Sequence, residues 1–172
     1  MIFEQDFIDF IELLNKHDAK YMIVGAHALS FHGRPRHTGD LDIWIKPNNE
    51  NAEKLVQVMK DFGFGSLGLS REDFLKEDSV TQLGYPPLRI DILNSISGVE
   101  FDEGYDSKIT ADIDGLTVQF INIGHFIANK KAVGRNKDLG DIEALEELKK
   151  EQSKEPPDDS FSIQEKRKRP GF

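Results

Sequence analysis

The sequence predicts an α+β protein in which a β-sheet is flanked by helices and the chain closes with two further helices. Three observations lead to this expectation. Short apolar segments with strand character alternate with segments whose apolar residues recur at helical spacing. Asp114-Gly115 lies between two of the short segments, and Asp-Gly is the strongest short hairpin signal. The last two helical segments follow that hairpin without an intervening strand pattern.

The first half of the chain alternates between the two patterns. Phe7, Phe10, Ile11 and Leu14 recur every three or four residues and predict an amphipathic helix over about 5–17. The next predicted elements are a strand at 21–24, a helix over about 26–32, a loop at 33–39 and a strand at 40–45 that ends before Pro47.

Capping residues mark the helices of the middle of the chain. Asn48 or Asn49 can cap a helix that stops near Gly63. Ser70 and Asp73 resemble a capping box and predict a short helix that runs to about residue 76. The remaining predicted elements are strands at 79–83 and 88–93, hairpin strands at 107–113 and 116–121, and helices at about 124–133 and 137–150.

The composition bounds the class of protein. The 172 residues suffice for one ordinary domain, which we predict over 1–150, and we predict a disordered charged tail over 151–172. A net charge of −9 excludes a protein that coats nucleic acid nonspecifically. The absence of cysteine excludes disulfides and thiolate metal sites. The chain has no apolar run of about 18 residues and no basic N-terminal start, so we expect a cytoplasmic protein with no membrane partner.

Asp40 and Asp42 are the strongest candidates for a functional site. They lie in the predicted strand at 40–45, where side chains alternate, so both project from one face while Leu41 and Ile43 project from the other. Two carboxylates beside apolar neighbours repel each other and lose hydration, and a bound divalent cation offsets both effects. Asp91, on the predicted strand at 88–93, is the natural third ligand.

Gly25 precedes this carboxylate pair at a strand-to-helix turn. A glycine there lets a ligand approach the exposed backbone N–H groups, which favours phosphate binding. Cations of the loop before Asp40 and of the junction between the last two helices can also hold phosphate. The candidates in those two places are Arg34, Arg36, Lys130, Arg135 and Lys137.

Two segments of this sequence carry a family resemblance. The stretch 23–42 resembles the signature of the nucleotidyltransferase superfamily (DNA polymerase beta-like), a hydrophobic residue and Gly-Ser or Gly-Gly followed by D-x-D. Arg36-His-Thr-Gly-Asp-Leu-Asp42 resembles the R-x-T-x-D-x-D of the AbiEii-like branch of toxin and phage-defence enzymes. The segment Lys130 to Asp141 resembles the K-x-x-x-G-R-x-K-D-x-x-D of the same branch. Together the similarities cover most of residues 21–145.

The resemblance implies a nucleotidyltransferase-like mixed β-sheet with the metal site at one edge, followed by helices that complete the nucleotide site. It implies an enzyme that uses Mg²⁺ (or Mn²⁺) in a two-metal mechanism and takes a nucleoside triphosphate as substrate. The acceptor would be a hydroxyl of RNA, of a protein or of a small molecule, and a toxin relative would have an antitoxin partner. Lys130 would contact phosphate, and Asp141 would belong to the outer shell of the site or orient a catalytic lysine.

Ala26 is the departure from the superfamily pattern. It stands where the pattern has serine or glycine, so a hydroxyl that could touch the triphosphate is absent, while the backbone N–H groups of Gly25 and Ala26 are still expected to bind phosphate. The loss of one hydrogen bond to a charged group is worth roughly 1.5–3 kcal/mol. This leaves open an alternative function, a catalytically inactive nucleotide- or protein-binding module with the same fold.

Overall fold

The computed structural model describes residues 1–135 and 138–154, which form seven α-helices and six β-strands. The strands are β1 Tyr21–Ile23, β2 Asp40–Ile45, β3 Val80–Tyr85, β4 Leu88–Leu93, β5 Ile109–Ile113 and β6 Leu116–Phe120. The helices are α1 Gln5–Lys16, α2 Gly25–Phe31, α3 Asn49–Met59, α4 Arg71–Leu75, α5 Phe101–Asp106, α6 Ile123–Val133 and α7 Leu139–Gln152.

All six strands join one mixed sheet in the order β3-β4-β2-β1-β6-β5. The pairs β2–β4 and β1–β6 are parallel, and the other neighbours are antiparallel. This is the mixed sheet flanked by helices that the sequence predicts. The carboxylate strands β2 and β4 are interior strands, because β3 pairs with β4 and β1 pairs with β2.

The core lies between the sheet and the helices packed on it. Strands β1 and β2 carry a nearly continuous row of buried side chains, and α1 contributes its predicted apolar stripe. The largest fully buried side chains are Trp44, Tyr21, Phe7, Phe10, Phe74, Phe120 and Phe126. Packing from both sides fixes β2, and with it the positions of the aspartates on that strand.

Most predicted elements are confirmed within one or two residues, including the hairpin turn, where Asp114 and Gly115 both adopt positive φ. Two differences matter. Helix α5 was not predicted, and α7 extends to Gln152, past the predicted helix end at about residue 150. Most of the predicted tail, residues 155–172, lies outside the described residues. Within the described ranges, every helix is too short or too polar to cross a membrane.

Candidate active site

The register of two parallel strands brings the three predicted aspartates together. Asp42 on β2 stands opposite Asp91 on β4, and Asp40 stands opposite Arg89. Side chains of register partners project to the same side of a sheet, as do residues two apart on one strand. Three carboxylates and one guanidinium therefore share one face. We call Asp40, Asp42, Asp91 and Arg89 the carboxylate cluster.

Arg89 binds two of the three carboxylates directly. Its Nε donates to Asp91 Oδ1 at 2.7 Å, and its Nη2 donates to Asp91 Oδ2 at 2.9 Å and to Asp40 Oδ2 at 3.1 Å. The contact with Asp91 is a two-bond fork, the geometry in which arginine binds carboxylates most strongly. Both oxygens of the buried Asp91 are thus occupied by the guanidinium.

Asp42 lies in a different environment from its neighbours. Its carboxylate has no hydrogen-bond or ion-pair partner within residues 1–135 and 138–154. Burial is the main reason that the pKa of Asp42 rises to about 6, and the negative charges of Asp91 and then Asp40 add to the effect. Lys130 and Arg89 oppose this rise. Asp42 is therefore a desolvated carboxylate that a bound cation would stabilise strongly.

Gly25 makes room for the Asp42 carboxylate. A Cβ at position 25 would stand 2.0 Å from Asp42 Oδ2, and the backbone φ of +64° is one that side-chain-bearing residues rarely adopt. Only glycine satisfies both conditions. The glycine that the sequence analysis selected for phosphate access thus also sets the position of the carboxylate.

A cavity of about 540 Å³ opens beside Asp42, within the size range of small-molecule sites. Its lining combines apolar contacts with polar groups and two cations from the α6 region. The polar and charged side chains of the lining are Asp42, Asp78, Ser95, Ser97, Asn129, Lys130 and Arg135. Among these, Asp78 accepts a hydrogen bond from Ser95 Oγ at 2.6 Å.

Lys130 is paired with Asp138 and not with Asp141. Lys130 Nζ lies 3.7 Å from Asp138 Oδ1, and Asp138 is only 2% exposed. Asp141 Oδ1 lies 3.7 Å from an Nη atom of Arg34. Asp138 and Asp141 are three positions apart at the start of α7, and each pairs with a different cation. Among the described residues Asp141 thus lies near Arg34 and not near Lys130, and its predicted place in the outer shell of the site stays a prediction.

The remaining predicted binding residues divide between two places. Arg135 lines the cavity beside Asp42. Arg36 and Asp141 instead line a neighbouring cavity of about 460 Å³, together with Arg34. Ala26 lies in the first turn of α2, where its carbonyl accepts a hydrogen bond from Ser30. Lys137 lies outside the described residues.

Sequence reasoning missed Arg89 and Asp138 as members of the site. The signal for Arg89 was present, because the period of a strand puts it on the same face as Asp91. Strand spacing predicts the face of the sheet on which Arg89 lies but not the rotamer of its side chain. The ion pair with Asp91 therefore could not be predicted. Asp138 is the first aspartate of the K-x-x-x-G-R-x-K-D-x-x-D pattern, so the resemblance carried a signal for it, although the pattern does not predict its burial at the start of α7.

The donor chemistry of the cluster fits a divalent cation. Carboxylate oxygens are the ligands that Mg²⁺ prefers, and Asp42 together with the second oxygen of Asp40 is not engaged by Arg89. Among the described residues, no group of three or more histidine and acidic side chains is arranged to hold a metal ion. In this arrangement the fork occupies both oxygens of Asp91.

Solved structures share this fold. The lincosamide antibiotic adenylyltransferase LnuA, in a lincomycin-bound crystal structure, aligns with a TM-score of 0.51 and 13% identity over 86% of this chain and 98% of its own. An antigenic nucleotidyltransferase-like protein from Paracoccidioides brasiliensis aligns with a TM-score of 0.50 and 16% identity over 83% of this chain and 74% of its own. The fold is therefore that of the nucleotidyltransferases.

The sequence match is more specific. Residues 4–168 match the family model described as a nucleotidyl transferase of unknown function, DUF2204, and the chain belongs to that family. No curated protein matches the chain by sequence. The superfamily predicted from the sequence is confirmed, while the narrower AbiEii-like assignment stays a prediction.

Proposed function

We propose that this protein transfers a nucleoside monophosphate from an NTP to an acceptor hydroxyl and releases pyrophosphate. The observation that carries the proposal is the pair Asp40 and Asp42 on β2, of which Asp42 lines a cavity together with Lys130, in a chain of a nucleotidyl transferase family. When bound at the aspartates, Mg²⁺ or Mn²⁺ would neutralise charge on the triphosphate and promote attack by the acceptor.

The residues of the chain have separable roles in this proposal. Asp40 and Asp42 hold the cation. Lys130 and Arg135 bind the phosphates, because both cations line the cavity into which Asp42 projects. Buried Asp138 positions Lys130. The backbone N–H groups of Gly25 and Ala26 would also bind phosphate, and Gly25 lines the same cavity as Lys130 and Arg135.

Arg36 is the predicted nucleotide contact that the structure supports least. It lines the neighbouring cavity with Arg34 and Asp141, so we assign that cationic loop to the acceptor or to the outer phosphates. The acceptor class stays open between RNA, a protein and a small molecule. LnuA is described as an antibiotic adenylyltransferase, which makes small molecules one class that has to be tested.

The direct test is label transfer. The full chain is incubated with each α-labelled NTP, Mg²⁺ and separate pools of RNA, protein and small molecules. We expect one NTP to label one pool, with loss of labelling in Asp42→Asn. Asp106→Asn, which changes an exposed aspartate on α5, is the matched control and retains activity. Equal labelling by wild type and Asp42→Asn would contradict the proposal.

A non-catalytic nucleotide- or protein-binding module is the alternative, and the Arg89 fork on Asp91 is the observation that favours it. Nucleotide binding without transfer to any pool would support this alternative. A toxin with an antitoxin partner rests on the AbiEii-like resemblance alone. Growth arrest on expression of wild type, but not of Asp40→Ala, would support the toxin role.

A further inference from the structure

Arg89 is built into the carboxylate cluster by the sheet itself. Its register partner across the parallel pair is Asp40, and Asp91 is two residues further on its own strand. Its side chain is 28% exposed, and its three hydrogen bonds to carboxylate oxygens are all 3.1 Å or shorter. A guanidinium stays protonated at any pH that a protein tolerates, so this is a permanent positive charge between Asp40 and Asp91.

The charge of the cluster matches one divalent cation. Three ionised carboxylates carry −3 and Arg89 carries +1, which leaves −2. One Mg²⁺ neutralises that charge, whereas two would leave an excess of +2. Local charge therefore favours a single ion in the cluster, with the guanidinium as the other cation.

The free ligand atoms point to the same number. Both oxygens of Asp91 accept from Arg89, and one oxygen of Asp40 does as well. The oxygens that the guanidinium leaves free are those of Asp42 and the second oxygen of Asp40. To ligate a metal, Asp91 would have to break a two-bond fork in a site where it is 8% exposed, which would leave a desolvated carboxylate without its cation.

We propose that Arg89 takes the place of the second metal ion, so that the protein binds one divalent cation at Asp40 and Asp42. Asp91 is then a positioning residue that holds Arg89, and not a metal ligand. The guanidinium supplies fixed positive charge where a second ion would otherwise stand. This inference rests on the proposed function and replaces the two-metal arrangement implied by the family resemblance.

The test is to count bound Mn²⁺ on the full chain by electron paramagnetic resonance of the free ion, with no nucleotide present. Wild type is expected to bind one Mn²⁺. Arg89→Gln releases Asp91 and is expected to bind two. The double variant Arg89→Gln/Asp91→Asn is expected to return to one. Because the single variant gains a site, misfolding cannot produce the expected result.

Three outcomes of the Mn²⁺ count would contradict the single-ion site. Two ions on wild type, no ion on wild type, or an unchanged count in Arg89→Gln would each overturn the inference. These outcomes are separate from the label-transfer test. Two bound ions together with label transfer would overturn the single-ion site and leave the proposed function intact. One bound ion without label transfer would support the single-ion site and contradict the proposed function.

Discussion

Asp42 shows how a residue placed for function can lower the stability of the fold. Its carboxylate is desolvated, lies near two other carboxylates and has no protein donor within the described ranges. Each of these features disfavours the charged form. The same features make the site attractive to a cation, which is a common trade-off between stability and activity.

The first prediction is that Asp42→Asn stabilises the protein at neutral pH while it abolishes activity. Burial and the neighbouring carboxylates raise the pKa of Asp42 to about 6 in the folded state, above its ordinary value. The stability that this group contributes is fully present below about pH 4 and is lost as the pH rises through about 6. Asp42→Asn has no carboxylate to ionise, so its stability does not fall over this pH range. It should be more stable than wild type by roughly 1–3 kcal/mol at neutral pH.

Chemical denaturation in EDTA across this pH range measures the difference. Wild type and Asp42→Asn should have equal unfolding free energies at the acidic end and diverge as the pH rises. Asp106→Asn, on an exposed aspartate, should track wild type throughout. A stability difference that does not change with pH would contradict the assigned cause.

The second prediction concerns Gly25→Ala. The added Cβ would stand 2.0 Å from Asp42 Oδ2 and displace the carboxylate. Gly68→Ala is the matched control, because Gly68 has a φ of +66° against +64° for Gly25 and has open space around its Cβ position. Both variants should lose about 1 kcal/mol from the strained backbone.

Only Gly25→Ala should lose function. We expect Mn²⁺ affinity and NMP transfer to fall by about tenfold or more, equivalent to about 1.4 kcal/mol. Thermal denaturation, metal titration and label transfer on the two purified variants separate backbone strain from displacement of the carboxylate. Equal losses of activity in both variants would show that the contact with Asp42 is unimportant.

At the level of elements, strands β2 and β4 were predictable because alternation and flanking turns are local properties. Helix α5 was not. It has six residues and contains Gly104, which disfavours a helix by its own propensity. The structure shows why a glycine stands there, since a Cβ at that position would lie 3.1 Å from the ring of Trp44. The reason is a tertiary contact, which a local pattern does not contain.

The same limit applies to the candidate site. The aspartates and the direction in which they project follow from the period of a strand, so Asp40, Asp42 and Asp91 could be predicted. Arg89 and Asp138 owe their roles to rotamers and to the packing of α6 and α7. Spacing places Arg89 on the face of Asp91, but the contacts themselves are decided by the assembled elements.

The third prediction concerns the connection between α4 and β3, which carries Asp78 to the cavity. Asn94 holds this connection: its side chain donates to the carbonyls of Phe74 and Lys76 and accepts from the N–H of Ser79. Asn94→Ala leaves these groups unpaired and should destabilise the protein by about 2–4 kcal/mol. Nucleotide affinity should also fall, because Asp78, Leu93 and Ser95 form one wall of the cavity and Asn94 fixes the position of that wall.

Asn51→Ala supplies the control for that prediction. Asn51 is also buried and bonds the backbone of Lys20 and Lys46 in the same manner, but it does not line the cavity. Its loss should lower stability by a similar amount and leave nucleotide affinity unchanged. Calorimetry with a nonhydrolysable NTP measures the nucleotide affinity of both variants. An equal loss of affinity in the two would contradict a local role for Asn94.

At the scale of the whole molecule, the sheet ties distant parts of the chain to one core. Strand β1 lies between β2 and β6, so the hairpin β5–β6 is joined to the carboxylate strands through β1. Phe126 of α6 and Trp44 of β2 are both about 1% exposed and belong to one continuous cluster of buried side chains. This connectivity predicts that the described part of the chain unfolds as one cooperative unit.

The fourth prediction is that two probes report the same unfolding transition. Trp44 is the only tryptophan of the sequence, and its buried ring lies against Phe101, so its fluorescence reports the region of the carboxylate cluster. Far-UV circular dichroism reports all helices, including α6 and α7. Denaturation midpoints from the two probes should coincide.

Phe126→Ala, which removes a core side chain of α6, should lower both midpoints equally, in line with a loss of about 3–5 kcal/mol. A shift in the circular dichroism midpoint without a shift in Trp44 fluorescence would show that the C-terminal helices unfold separately. The cation pair of Lys130 and Arg135 would then be able to leave the aspartates while the sheet stays folded.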